Sequence, residues 1–130
     1  MLDTDVVIAA LDRGESHHGR AAKAIARMIH VEDELLLSTI NYAEALVRPA
    51  EDDRTLRAAV DALAALKVRL VAPSASVARN AARIRSLGVS LADGFALATA
   101  QERSASLASF DRRVQRAMKN LGIAAPKQLA

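Results

Sequence analysis

LLLSTINYAEAL, residues 35–46, changes its structural period within a dozen positions. Leu35 to Leu37 are an unbroken apolar run, as expected of a short strand buried on both faces. Ser38-Thr39 closes that run. Asn41 to Val47 then reads as a helix, and Pro49 stops it. A buried strand that feeds directly into a helix is the repeating unit of a parallel α/β fold.

The rest of the chain keeps this rhythm. Met1 to Asp3 reads as the end of a short strand, and Val6 to Leu11 as a short helix. From His17 to Ile29, apolar side chains at Ala21, Ala22, Ile25, Met28 and Ile29 fall at helical spacing. Arg54 to Leu66 is amphipathic, with Leu56, Ala59, Val60 and Leu63 on one face and Arg57 and Asp61 on the other. Val68 to Ala72 is a further strand. Pro73-Ser74 opens a helix that runs to Leu87 and ends at Gly88. Leu91 to Gln101 is apolar nearly all round, so it is expected to lie centrally. Ser106 to Ser109 is a short strand, Asp111 to Leu121 a helix closed by Gly122, and Ile123-Ala124 a candidate edge strand. The expectation is one domain over residues 1–130: a three-layer α/β/α fold, with a central parallel sheet of four to five short strands and helices on both faces.

Composition narrows the function. The chain has 130 residues, enough to bury a core, and 52% of them are apolar. Aromatics make up only 2%, which argues against a nucleic-acid reader built on a wide stacking platform. There is no Cys, which excludes disulfides, thiolate catalysis and Cys-ligated zinc. No apolar run reaches the roughly 18 residues of a membrane span, and no signal peptide opens the chain. The expected location is the cytoplasm. A net charge of +3, carried mostly by Arg, permits a polyanionic partner without requiring one.

Four acids stand out by their setting. Asp3 in MLDTDVVIAAL, Glu44 in STINYAEAL, Asp93 in SLADGFALATA and Asp111 in LASFDRRV each lie where an apolar stretch gives way to a helix. Each also has an ordinary role. Asp3 and Asp111 suit helix N-caps, and Ser90-x-x-Asp93 has the capping-box form that Asn41-x-x-Glu44 approaches. The set is harder to explain that way, because a cap does not require apolar surroundings and an unpaired buried carboxylate is costly. Strand-to-helix junctions share one edge of a parallel sheet, where ligands bind. Four carboxylates gathered there form a site for Mg²⁺ or Mn²⁺, which favour carboxylate and water oxygens.

Such a metal supports phosphodiester hydrolysis by activating water and polarising a phosphoryl oxygen. Thr4, Asp5 and Ser109 are candidate supporting groups, and Arg112 and Arg113 candidate contacts to substrate phosphates. The neighbours His17 and His18 do not share a helix face. They and His30 are read as lying outside the catalytic set.

In order and spacing, these motifs resemble the PIN-domain ribonucleases, above all the VapC-type toxins of toxin–antitoxin pairs. The resemblance covers nearly the whole chain and rests on the ordered combination rather than on any one motif. It implies a PIN fold and a Mg²⁺- or Mn²⁺-dependent endoribonuclease that cuts RNA with metal-activated water. Asp3, Glu44, Asp93 and Asp111 match the family's acidic positions, and Ser109 its small hydroxyl position. It further implies a VapB-type antitoxin partner and a homodimer. Asp5 departs from the Asn or Ser often found there and adds a charge. Two other readings compete: a PIN-like module that binds RNA or protein without cutting, and a receiver-like Mg²⁺-binding signalling domain. The receiver reading lacks an acceptor Asp at the end of the LLLST strand and a Lys after SLASF.

Overall fold

The computed structural model describes residues 1–129. Helix α1 spans Thr4–Leu11 and α2 His18–His30. Strand β1, Leu36–Ser38, leads straight into α3, Thr39–Leu46. A 3-10 turn at Pro49–Glu51 precedes α4, Asp53–Ala65. Strand β2, Arg69–Val71, is followed by α5, Ala75–Ile84, α6, Leu91–Glu102, and α7, Arg112–Leu121. Six of the seven helices start on a side chain that accepts a backbone N–H: Asp3, Ser38, Asp52, Ser74, Ser90 and Asp111. The local sequence therefore sets where nearly every helix begins. Gly88 and Gly122 take left-handed φ of 83° and 69° and end their helices.

β1 and β2 pair in parallel, with Leu36 opposite Arg69 and Ser38 opposite Val71. Two further extended segments lie alongside. The Leu2 N–H donates to the Leu36 carbonyl at 2.8 Å, and Leu2 and Ala108 form an isolated parallel bridge. Beyond them, Leu107 N–H donates to the Ala124 carbonyl at 2.9 Å.

The expectation of four to five strands is thus corrected. Among the described residues only two strands form a sheet; Ser106–Ser109 meets Met1–Asp3 in one isolated bridge with three backbone hydrogen bonds, and Ala124 adds one more bond to Leu107. The reason is local. Asp3 and Asp111 cap α1 and α7, and capping pulls the chain out of the ladder after one or two paired residues.

The layering follows from side-chain alternation. Met1, Leu36 and Leu107 enter one core with α5, α6 and α7. Their neighbours Leu2, Leu35, Leu37 and Ala108 enter the other with α1 and α2. Helices therefore cover both faces. Within the first core α6 presses closely on α5. A Cβ at Gly94 would stand 2.7 Å from the Ala81 carbonyl oxygen, so only glycine permits this approach. Among the described residues, no helix is long and apolar enough to cross a membrane.

Candidate functional site

Three helices leave extended segments on the same edge of the fold: α1 after Leu2, α3 after β1, and α7 after the Leu107-Ala108 segment. Parallel pairing dictates this, since each segment exits in the same direction. α6 follows no strand. It is joined to the others by Asn41 on α3, whose Nδ2 donates to the Ala92 carbonyl at 3.1 Å and to Thr4 Oγ1 at 3.0 Å.

Asp3 is the most enclosed carboxylate, only 1% exposed. One oxygen accepts the Thr4 N–H at 2.9 Å, and the other accepts the Ser109 hydroxyl at 2.7 Å. Burial is the main cause that pushes its pKa up to about 7. The Asp5 charge adds to the rise, the Ser109 hydrogen bond opposes it, and the Asp93 charge adds again.

Asp5 is half-buried and its pKa is also raised, first by burial. The Phe110 N–H donates to Asp5 Oδ2 at 2.9 Å, while Asp5 Oδ1 is buried without a partner. The Asp111 charge also acts on Asp5. Asp93, Asp3, Asp5 and Asp111 thus form a chain of carboxylates that feel one another in turn.

The ordinary roles of the acids hold together with this grouping. Asp3 and Asp111 are N-caps, and Asp111 accepts the Arg113 N–H at 2.7 Å. Ser90 and Asp93 form a full capping box. Ser109 Oγ accepts the Asp111 N–H at 3.2 Å while donating to Asp3, so one hydroxyl links two of the acids. Arg112 and Arg113 are exposed beside Asp111.

Glu44 departs from expectation. It is exposed, and Asn41 begins no capping box, because Ser38 is the N-cap of α3. Glu44 instead lines an open cavity of about 580 Å³ between α1, α3 and α4, with Ile8, Leu11, Arg48, Thr55 and Ala59. Among the described residues, no three acidic or histidine side chains stand together in a metal-holding arrangement. The apolar letters around Glu44 misled because Ala43 beside it is itself exposed, and only the Asn41–Ala45 stripe of α3 is buried.

Two site residues were not legible in the sequence. Asn41 is fully buried and ties α1, α3 and α6 together, yet its Oδ1 has no partner. The amide cannot be turned to relieve this, because the Ala92 carbonyl needs a donor. The signal available was a polar residue at a buried helical position. His17, adjacent in sequence to His18 and apart from the acids, stacks its ring on Phe110.

The PIN-domain family model matches residues 1–120. The chain belongs to the PIN-domain family. Two solved structures share its fold. VapC20 of Mycobacterium tuberculosis, described as a toxin that cleaves the sarcin-ricin loop, superposes with a TM-score of 0.71 at 18% identity, over 89% of this chain and 92% of that one. FitAcB from Neisseria gonorrhoeae gives 0.70 at 23% identity, over 98% and 96%. No curated protein matches this chain in sequence.

This PIN domain offers a hard cation only oxygen ligands, the chemistry that Mg²⁺ and Mn²⁺ select. The orphaned Asp5 Oδ1 and the enclosed carboxyl of Asp3 are the features such a cation would satisfy. The donors therefore suit a divalent ion in kind, and Asp3, Asp5, Asp93 and Asp111 are the residues that would hold it, although no three of them are gathered into a ready-made site among the described residues.

Proposed function

We propose that this PIN domain is a Mg²⁺- or Mn²⁺-dependent endoribonuclease and the toxin of a type II toxin–antitoxin pair. The observation that carries the reading is the enclosed Asp3 carboxyl, whose pKa is raised first by burial and then by the charges of Asp5 and Asp93, in a chain of this family. Repelling carboxylates held apart from water serve stability poorly and serve cation binding well.

In this reading Asp3, Asp93, Glu44 and Asp111 are the metal-holding and catalytic acids. When bound, the ion activates water and polarises the phosphoryl oxygen for hydrolysis. The protein's own groups prepare that chemistry. Ser109 holds the Asp3 carboxyl in orientation and favours its ionised form. Thr4, through its N–H, fixes the other Asp3 oxygen. Asp5 adds negative charge to the first junction. Arg112 and Arg113 meet the phosphates that flank the scissile bond. Glu44, exposed on α3, would supply a further carboxylate to the ion.

The cleft beside Glu44 has an apolar floor and an acidic rim of Asp12, Glu51 and Asp52. That favours a basic, partly apolar segment of a VapB-type antitoxin as the cognate partner. Exposed Ile40, Val47 and Leu91 suit a homodimer, and the cytoplasm is its place of action.

The test is cleavage of labelled RNA with and without Mg²⁺ or Mn²⁺. Asp3→Asn and Asp93→Asn, each checked for folding, should lose cleavage entirely. Wild-type rates in either folded variant would refute the site. A second reading, a PIN module that binds RNA without cutting it, draws on the separation of Glu44 from the other acids. It predicts RNA binding with no cleavage under any divalent ion.

A further inference from the structure

The last acid of the site sits beside an aromatic side chain that the catalytic reading does not use. Phe110 lies between Ser109, which holds Asp3, and Asp111, and its own N–H holds Asp5. The backbone on either side of this ring is therefore pinned to the acids. The ring itself reaches away to the first turn of α2, where His17 stacks on it at 4.5 Å between centroids and 19° between planes. The Arg20 guanidinium stands 5.2 Å from the same ring centre and donates to the Leu129 carbonyl at 2.9 Å. Phe110 is half-buried, whereas His17 and Arg20 are exposed.

His17 makes no capping hydrogen bond at the start of α2. One face of its imidazole is covered by Phe110, and the residue is otherwise open to solvent. An exposed planar ring backed by a second ring is a surface on which a nucleobase can stack, whatever its sequence. Charge points the same way. Arg20 stands over the Phe110 ring, and exposed Arg112 and Arg113 follow Asp111 directly. A single strand passing the acids and this ring pair would have exposed cations close by.

We propose that His17, backed by Phe110, is a stacking platform for one unpaired base of a single-stranded RNA, close to the bond that is cut. This rests on the nuclease reading above and adds a subsite to it. His17 takes no part in proton transfer. Its role is to hold one base in place and so set where the strand lies across the acids.

The experiment pairs a protein change with a substrate change. A short single-stranded RNA that the wild type binds is made with one abasic nucleotide at each position in turn. Binding is read by fluorescence anisotropy in EDTA, where no cleavage occurs, and KM and kcat are read with Mn²⁺. In the wild type, one position near the cut should weaken binding about tenfold when its base is removed. His17→Ala should bind intact RNA about tenfold more weakly, raise KM with kcat nearly unchanged, and lose the abasic effect at that position. His17→Phe should restore both.

A merely structural role for His17 would weaken intact and abasic RNA equally, and that result overturns the proposal. So does a wild type whose affinity is indifferent to abasic substitution everywhere. If the wild type fails to cut any RNA, the nuclease reading falls. The anisotropy comparison in EDTA then decides the stacking platform by itself.

Discussion

Asp3→Asn in the metal-free protein should stabilise the fold, and should do so more at pH 8 than at pH 5. The carboxyl moves from an ordinary 3.8 to about 7 on folding. A raised folded pKa means that the native state holds the proton more tightly than the unfolded chain does. Stability from this group is therefore complete below pH 3.8 and is lost as pH rises toward 7. At about 1.4 kcal/mol per unit, the whole loss is of the order of 4 kcal/mol. Roughly 1–2 kcal/mol of it is already spent at pH 5, because the unfolded aspartate has ionised by then.

An Asn at this position accepts the Thr4 N–H as before and carries no charge. The pH dependence of the wild-type Ser109 bond is already contained in the shifted pKa, so it adds no separate pH-dependent cost. The advantage of the variant should therefore widen by about 2–3 kcal/mol between pH 5 and pH 8. Urea unfolding in EDTA at the two pH values measures that gap. A gap that stays constant, or narrows as pH rises, would falsify the electrostatic account of the site.

The remaining predictions concern the cation, the packing and the supporting groups. Mn²⁺ at a hundred times its pH 8 dissociation constant should stabilise the wild type by about 3 kcal/mol at pH 8, and the same concentration should stabilise it less at pH 5; an equal thermal shift in Asp93→Asn would remove Asp93 from the site. Ser109→Ala should drive the Asp3 pKa still higher, since that hydroxyl is what lowers it. The acid limb of the cleavage profile should then move to higher pH, and an unmoved limb counts against the pairing. Gly94→Ala forces a Cβ to within 2.7 Å of the Ala81 carbonyl oxygen and should cost about 1–3 kcal/mol in urea unfolding. Asn41→Ala strips the donor from Thr4 and Ala92. It should lose about 1–3 kcal/mol of stability and weaken Mn²⁺ binding in calorimetry, whereas unchanged Mn²⁺ affinity would make Asn41 a purely structural tie.

Much of the fold was written locally. Helix starts at Asp3, Ser74, Ser90 and Asp111, and stops at Gly88 and Gly122, follow from short-range capping, so they could be read from neighbouring residues. That 36–38 and 69–71 are strands of a parallel sheet was legible because both runs are short, apolar-rich and separated by helix, whereas their pairing with each other was decided by the fold. The number of strands was not. Whether Met1–Asp3 and Ser106–Ser109 ladder or merely touch depends on hydrogen bonds between segments more than 100 residues apart.

The sequence by itself determined which residues are acidic at the helix starts, and that three of them cap helices. It could not say which acids feel one another, because that depends on the path of α6, which follows no strand and is held by Asn41. Tertiary structure put Asp3 out of water between Asp5 and Asp93, and left Glu44 on an exposed face of α3. It also laid His17 on Phe110 across a separation no local pattern encodes. Caps depend on residues a few positions apart. Burial, repulsion and stacking depend on which segments the two cores bring together.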